Sequence, residues 1–174
     1  GGTSEEGLPW LAMEYVQGQP IDQWADAQAL GLHERLLLFG KVCEAVQYAH
    51  RHLVIHRDIK PANILVTADG EPKLLDFGIA KLLPAGDMQP DHTATQHRVF
   101  TPGYASPEQF SGGAVTTASD VYSLGALLYR LLTGRLPFAL DTVSALEAER
   151  QVTRDTPPLP SDAVRSRDPS LPRM

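Results

Sequence analysis

At 174 residues, 43% of them hydrophobic, the chain is long enough to bury one core and too apolar to be disordered throughout. Its net charge of −6 argues against a general binder of nucleic acid or of an acidic membrane. The lone cysteine, Cys43, excludes an internal disulfide and suits a reducing compartment, and no run approaches the ~20 apolar residues of a membrane span.

Residues 1–7 carry two acids and lack the basic start of a signal peptide, so they read as a surface loop of something longer. Leu8 to Val16 is a short apolar run closed by Gln17-Gly18-Gln19-Pro20, which predicts a buried strand and then a turn. Asp22 is expected to cap a brief helix that carries Trp24 and Ala25 and ends near Gly31. From Leu32 to His52, Leu36, Phe39, Val42, Cys43, Val46 and Ala49 recur at three- and four-residue steps, the pattern of an amphipathic helix with that face buried. His50 and His52 do not face each other on such a helix, so they do not suggest a metal pair.

The stretch from Val54 to Leu65 packs an acid, two cations and an amide into the eight residues His56–Asn63. Ile64-Leu65-Val66 and Lys73-Leu74-Leu75 then flank Ala68-Asp69-Gly70-Glu71, a hairpin signal. Leu82 to Arg98 is polar and broken by Pro84, Gly86 and Pro90, which predicts a mobile loop. Ser119-Asp120 is expected to open a second strong helix with Val121, Leu124, Leu127, Leu128, Leu131 and Leu132 on its apolar side, ended by Gly134. A weaker helix is expected over Thr142 to Thr153. Beyond Asp155, five prolines argue against a helix.

His56-Arg57-Asp58 with Asn63, Asp76-Phe77-Gly78 eighteen positions after Asp58, and Ser106-Pro107-Glu108 form an ordered set. It resembles the H-R-D-x-x-x-x-N loop, the D-F-G turn and the A-P-E box of protein kinases. Each triplet alone recurs in unrelated chains; the ordered set at this spacing is specific. Ser106 replaces the usual alanine, a swap between small residues. The wording of residues 73–81 and 104–109 looks most like bacterial kinases of the eukaryotic (Hanks) type, and the resemblance covers roughly residues 8 to 152.

The resemblance implies an α+β protein-kinase-like fold: a mainly helical C-terminal lobe, a remnant strand of the N-terminal lobe and a small β-hairpin. Residues 1–16 would be that strand and the hinge. Residues 17–152 would be the C-terminal lobe, with the catalytic loop at 54–65 and the activation segment at 76–108. Residues 153–174 would be a poorly ordered Pro-rich tail.

It also implies the chemistry, transfer of the ATP γ-phosphate to serine or threonine hydroxyls of a protein substrate. Asp58 would accept or orient the substrate hydroxyl, and Lys60, typical of serine/threonine kinases at this spacing, would meet the transferred phosphate. Asn63 and Asp76 supply the hard oxygens that Mg2+ prefers. Met13, Glu14 and Val16 resemble the adenine-holding hinge, and Leu65 would lie under the ring. Arg57 implies regulation through a phosphorylated residue, with Thr93 and Thr95 as candidates, whereas Thr101 matches a threonine of the substrate pocket. His56 would pack on Phe77, and Asp120 would anchor the loop backbone. No nucleic acid enters this scheme, and the expected location is cytoplasmic, or the cytoplasmic side of a longer membrane-anchored parent.

Three parts of the pattern lie upstream of the hinge in the family and have no counterpart here: the Gly-rich loop, the strand lysine and the helix glutamate. The first lysine is Lys41. A chain truncated at both ends is therefore expected, with a non-catalytic kinase-like binding module as the alternative. Glu108 is expected to lack its arginine, at a cost of roughly 3–5 kcal/mol if fully buried.

Overall fold

The computed structural model of the chain describes residues 1–4, 9–10, 12–77, 101–140 and 143–165. β1 (Gly2–Thr3) and β2 (Pro9–Trp10) pair antiparallel. β3 (Gln19–Pro20) leads directly into α1 (Ile21–Ala27), and α2 spans Leu32–Arg51. β4 (Ile64–Val66) and β5 (Pro72–Leu74) form the expected hairpin. Four α-helices follow among the described residues: α3 (Pro107–Ser111), α4 (Thr117–Thr133), α5 (Ala145–Arg154) and α6 (Pro160–Arg165). The α+β class, mainly helical with a small antiparallel sheet, is the one the sequence implied.

Burial of the 8–16 run does not hold. Its only described strand residues are those of β2, and Trp10 and Met13 are 53% and 56% exposed. A pair of two-residue strands buries neither face, and no described element covers this one. The hairpin instead recruits β3, giving the strand order β3-β4-β5 with Gln19 opposite Val66 and Pro20 opposite Leu65. Gly18 allows that approach: a Cβ there would sit 2.7 Å from the Val66 carbonyl oxygen.

Asp22 is not the cap of α1. Pro20 holds that position, and Asp22 sits in the first turn, where its Oδ2 accepts from Arg130 Nε at 3.3 Å. In α2 the buried face is Leu38, Val42, Val46 and Ala49, while Leu36 is 41% exposed. Leu36-Leu37-Leu38 offers an apolar residue in every direction, so periodicity alone does not select the face; packing against α4 and the hairpin does. Cys43 is half-buried, and burial, then the Glu44 charge, push its thiol pKa up, as suits an inert packing residue.

α4 opens earlier than the expected Ser119-Asp120. Thr116 is its cap, with Oγ1 accepting from Ala118 N at 3.2 Å, while Ser119 Oγ accepts from Thr116 N at 3.1 Å. Gly134 closes the helix in the left-handed region at φ 72°. Leu127 and Leu131 are buried but Val121 is exposed, because α4 shows Ser119, Asp120 and Ser123 to the interior at its first turns. α6 also departs from expectation. Pro160 stands at its first position, where a fixed φ and a missing N–H favour a helix rather than break it.

The main core joins α1 (Ile21, Ala25), α2, β4 (Ile64, Val66) and α4, together with Ile59 of the loop. Arg35 ties three of these helices: it donates to the carbonyls of Leu30 and Leu131, each at 2.9 Å, and pairs with Asp26 at 2.7 Å. A second cluster, Ala105, Phe110, Leu140, Ala148 and Val152, joins α3 to α5.

Candidate active site

The loop after α2 is suspended between two helices. Asp120 of α4 is 1% exposed, and its carboxylate accepts from the backbone N–H of His56 (Oδ2) and of Arg57 (Oδ1), each at 2.8 Å. His50 Nε2 lies 2.8 Å from the same Oδ2, a role no sequence reading assigned. His52 turns away, 2.8 Å from the Tyr48 carbonyl through Nδ1. From α3, Gln109 Nε2 donates to the Arg57 carbonyl at 3.0 Å. Arg57 takes φ 70° and Asp76 φ 51°, left-handed values that cost of order 1–3 kcal/mol each in a non-glycine residue and persist only where the surroundings hold them.

The side chains that follow converge. Asn63 Nδ2 donates to the Asp58 carbonyl at 2.8 Å and to its Oδ2 at 2.9 Å. Lys60 Nζ sits 2.9 Å from the same Oδ2 and donates to Thr101 Oγ1 at 2.9 Å. Asp58, Lys60, Asn63 and Thr101 thus form one hydrogen-bonded group, with Asn63 buried and the others half-buried. Asn63 is brought there by the Pro61–Asn63 310 turn, whose proline is preset for it. Leu75 N donates to the Asn63 carbonyl at 2.8 Å, so the strand that delivers exposed Asp76 is fastened to the same turn.

His56 packs on Phe77, ring centroids 4.8 Å apart, as the resemblance implied. It is 1% exposed and its Nε2 has no hydrogen-bond partner among the described residues. Burial lowers its pKa against the opposing pull of Asp120, the Leu75 backbone and Asp58. Glu108 is a correction. It is half-buried rather than a stranded interior acid, and its carboxylate accepts a short hydrogen bond from Ser119 Oγ. Burial alone would raise its pKa, but the bonds from Ser119, its own backbone and Ser106 together hold it below the ordinary value.

Met13 and Glu14 are exposed, Val16 is half-buried just before β3, and Leu65 is half-buried at the centre of β4. Thr93 and Thr95 lie outside the described residues. Gln109 was missed by sequence reasoning, although Ser106-x-x-Gln109 has the spacing of a capping box and so signalled a reaching side chain.

The family model described as "Protein kinase domain" matches residues 3–167. The chain belongs to the protein kinase family. Among similar proteins, this kinase chain is 41% identical over 170 residues to the probable serine/threonine-protein kinase PknB of Bifidobacterium longum, covering 97% of the chain and 24% of that protein. It is 41% identical over 155 residues to the probable serine/threonine-protein kinase SCO3848 of Streptomyces coelicolor, covering 88% and 22%. It is 38% identical over 160 residues to the serine/threonine-protein kinase PknB of Mycolicibacterium smegmatis, covering 91% and 25%. The chain therefore spans about a quarter of the length of these relatives.

The donor set of this kinase chain suits a hard cation that keeps phosphate and water ligands. Asn63 spends its Nδ2 on Asp58, so its amide oxygen is the atom that a cation would meet, and Asp76 offers an exposed carboxylate. Among the described residues no group of three or more His, Cys, Asp or Glu side chains gathers, as a closed metal cage would require. No described helix is long and apolar enough to cross a membrane.

Proposed function

We propose that the catalytic domain containing this chain transfers the γ-phosphate of ATP to serine or threonine hydroxyls of protein substrates. The observation that carries this reading is the Asp58–Lys60–Asn63–Thr101 cluster, fixed to α4 through Asp120. In it Asp58 accepts the proton of the substrate hydroxyl as the oxygen attacks phosphorus, and Lys60 meets the charge on the phosphate being transferred. Thr101 shares the Lys60 ammonium, which ties the substrate side of the site to the catalytic loop. Asn63 and Asp76 hold Mg2+, which would supply charge neutralisation on the phosphates. The backbone at Met13, Glu14 and Val16 borders the adenine, with Leu65 beneath it. Transfer of this kind needs positioning more than covalent chemistry, and side chains interlocked at 2.8–2.9 Å provide it.

In this reading residues 1–16 are the edge of the nucleotide lobe and the hinge, residues 17–152 the large lobe, and 153–174 its C-terminal extension. Arg57 is the partner of a phosphate on Thr93 or Thr95, a charge-assisted contact that would order the activation segment. ATP supply places the domain in the cytoplasm or on the cytoplasmic side of a membrane-anchored parent. The test is phosphoamino-acid analysis of a generic protein substrate incubated with the full-length protein and labelled ATP-Mg2+. Label on serine and threonine is expected; label on tyrosine, or on no protein, overturns the reading.

A further inference from the structure

Gln109 is bonded to both sides of the site. Its Oε1 accepts from the Ser106 N–H at 2.9 Å and from Ser106 Oγ at 3.2 Å, while its Nε2 donates to the Arg57 carbonyl at 3.0 Å. These partners fix the amide's orientation, because a flipped group would set donor against N–H and acceptor against carbonyl. The Arg57 N–H is already taken by Asp120 Oδ1 at 2.8 Å. The two peptide units flanking the left-handed Arg57 Cα are therefore each held by a helix side chain, Asp120 of α4 and Gln109 of α3, and the second also donates its Asp58 N–H to His56 Nδ1 at 3.4 Å. The second of these units is the one that carries Asp58. Gln109 also lines the narrow crevice formed with Arg57, Asp58, Ile59, Thr101 and Tyr104.

We propose that Gln109 is a positioning residue for Asp58: its amide fixes the Arg57–Asp58 peptide, and so the aim of the Asp58 carboxylate, and makes that aim depend on the placement of the Ser106–Ser111 segment. The kinetic consequence rests on the phosphotransfer reading above; the geometric claim does not. A plain helix cap would account for less. The capping box uses only Oε1 and the Ser106 N–H, and would leave Nε2 to water. Here Nε2 spans 52 positions to a carbonyl that has no part in the helix.

The two accounts part in the variant Gln109→Glu. Its carboxylate still accepts from Ser106, so the cap survives, but it sets an acceptor against the Arg57 carbonyl. Protonation restores a donor. Gln109→Leu removes both bonds. The charged and titratable groups around this position are His56, Arg57 and Asp58 of the loop, with His56 Nδ1 accepting from the Asp58 N–H, Tyr104 and Glu108 of its own segment, and Asp120 of α4. Rates are therefore read as the ratio of variant to wild type at each pH, in the full-length polypeptide. Hydrogen exchange at the Asp58 and Ile59 amides is measured alongside.

The proposal expects Gln109→Glu to lower kcat on the order of tenfold at neutral pH, with the KM for ATP nearly unchanged and partial recovery as pH falls. Exchange at the two amides should be faster in both variants. Wild-type kcat and wild-type exchange in Gln109→Glu would overturn it, as would a loss that ignores pH while exchange stays slow. If the wild type transfers no phosphate, the phosphotransfer reading fails, and the exchange rates alone decide whether Gln109 positions the loop.

Discussion

Arg57 and Asp120 show how single residues set this site. A left-handed backbone at an arginine is unfavourable in isolation, and two hydrogen bonds to Asp120 and one from Gln109 oppose its relaxation. His56 beside it carries the clearest pH consequence. Burial lowers its pKa, so near pH 6.5 the unfolded chain takes up a proton that the folded protein refuses. Stability should therefore fall as pH drops below about 6.5, down to the lowered folded value. Replacing His56 by Phe should flatten that slope, as urea unfolding at a series of pH values would read. Glu108 acts at lower pH with the usual carboxylate sign: its lowered pKa adds stability above about 4.5, lost as pH falls through the folded value. The meeting of Asp58, Lys60 and Asn63 was legible because their spacing is local and ordered. His50 and Gln109 were not, since each acts on a partner 70 or 52 positions away and no local pattern records that meeting.

The helices show where periodicity stops being informative. α2 was legible in extent, Leu32 to Arg51 against an expected Leu32 to His52, yet its face was misassigned at Leu36. Three consecutive leucines satisfy any face, and only packing into the core against α4 and β5 selects Leu38. The difference is measurable by denaturant unfolding. Leu38→Ala should cost about 2–5 kcal/mol, as expected for a buried leucine that leaves a cavity. Leu36→Ala should stay within about 0.5 kcal/mol, as for an exposed site. Equal costs would contradict the packing described for α2. α6 was illegible for a different reason, because proline reads as a breaker until its position within the helix is known.

At the scale of the whole molecule, the large core and the catalytic loop share elements: Ile59 of the loop is packed among residues of α1, α2, β4 and α4. The loop is thus part of the core rather than an appendage to it, which is how a segment with a left-handed arginine keeps one geometry. The same elements leave Trp10, Met13 and Tyr15 exposed along the segment that borders the adenine in the proposed reading. Fold and family were legible because the motifs are contiguous; the fastening of the loop was not, because it exists only between elements.

In the proposed function Asp58 is the proton acceptor of a phosphotransfer site whose shape survives without its charge. This role is tested most directly in the full-length protein by measuring γ-phosphate transfer from ATP-Mg2+ to a protein substrate for wild type and Asp58→Asn, with ATP affinity and thermal unfolding measured on the same samples. Asp58→Asn is expected to lower kcat by roughly 10²-fold or more while ATP affinity and unfolding temperature stay close to wild type. Undiminished transfer in Asp58→Asn would contradict it.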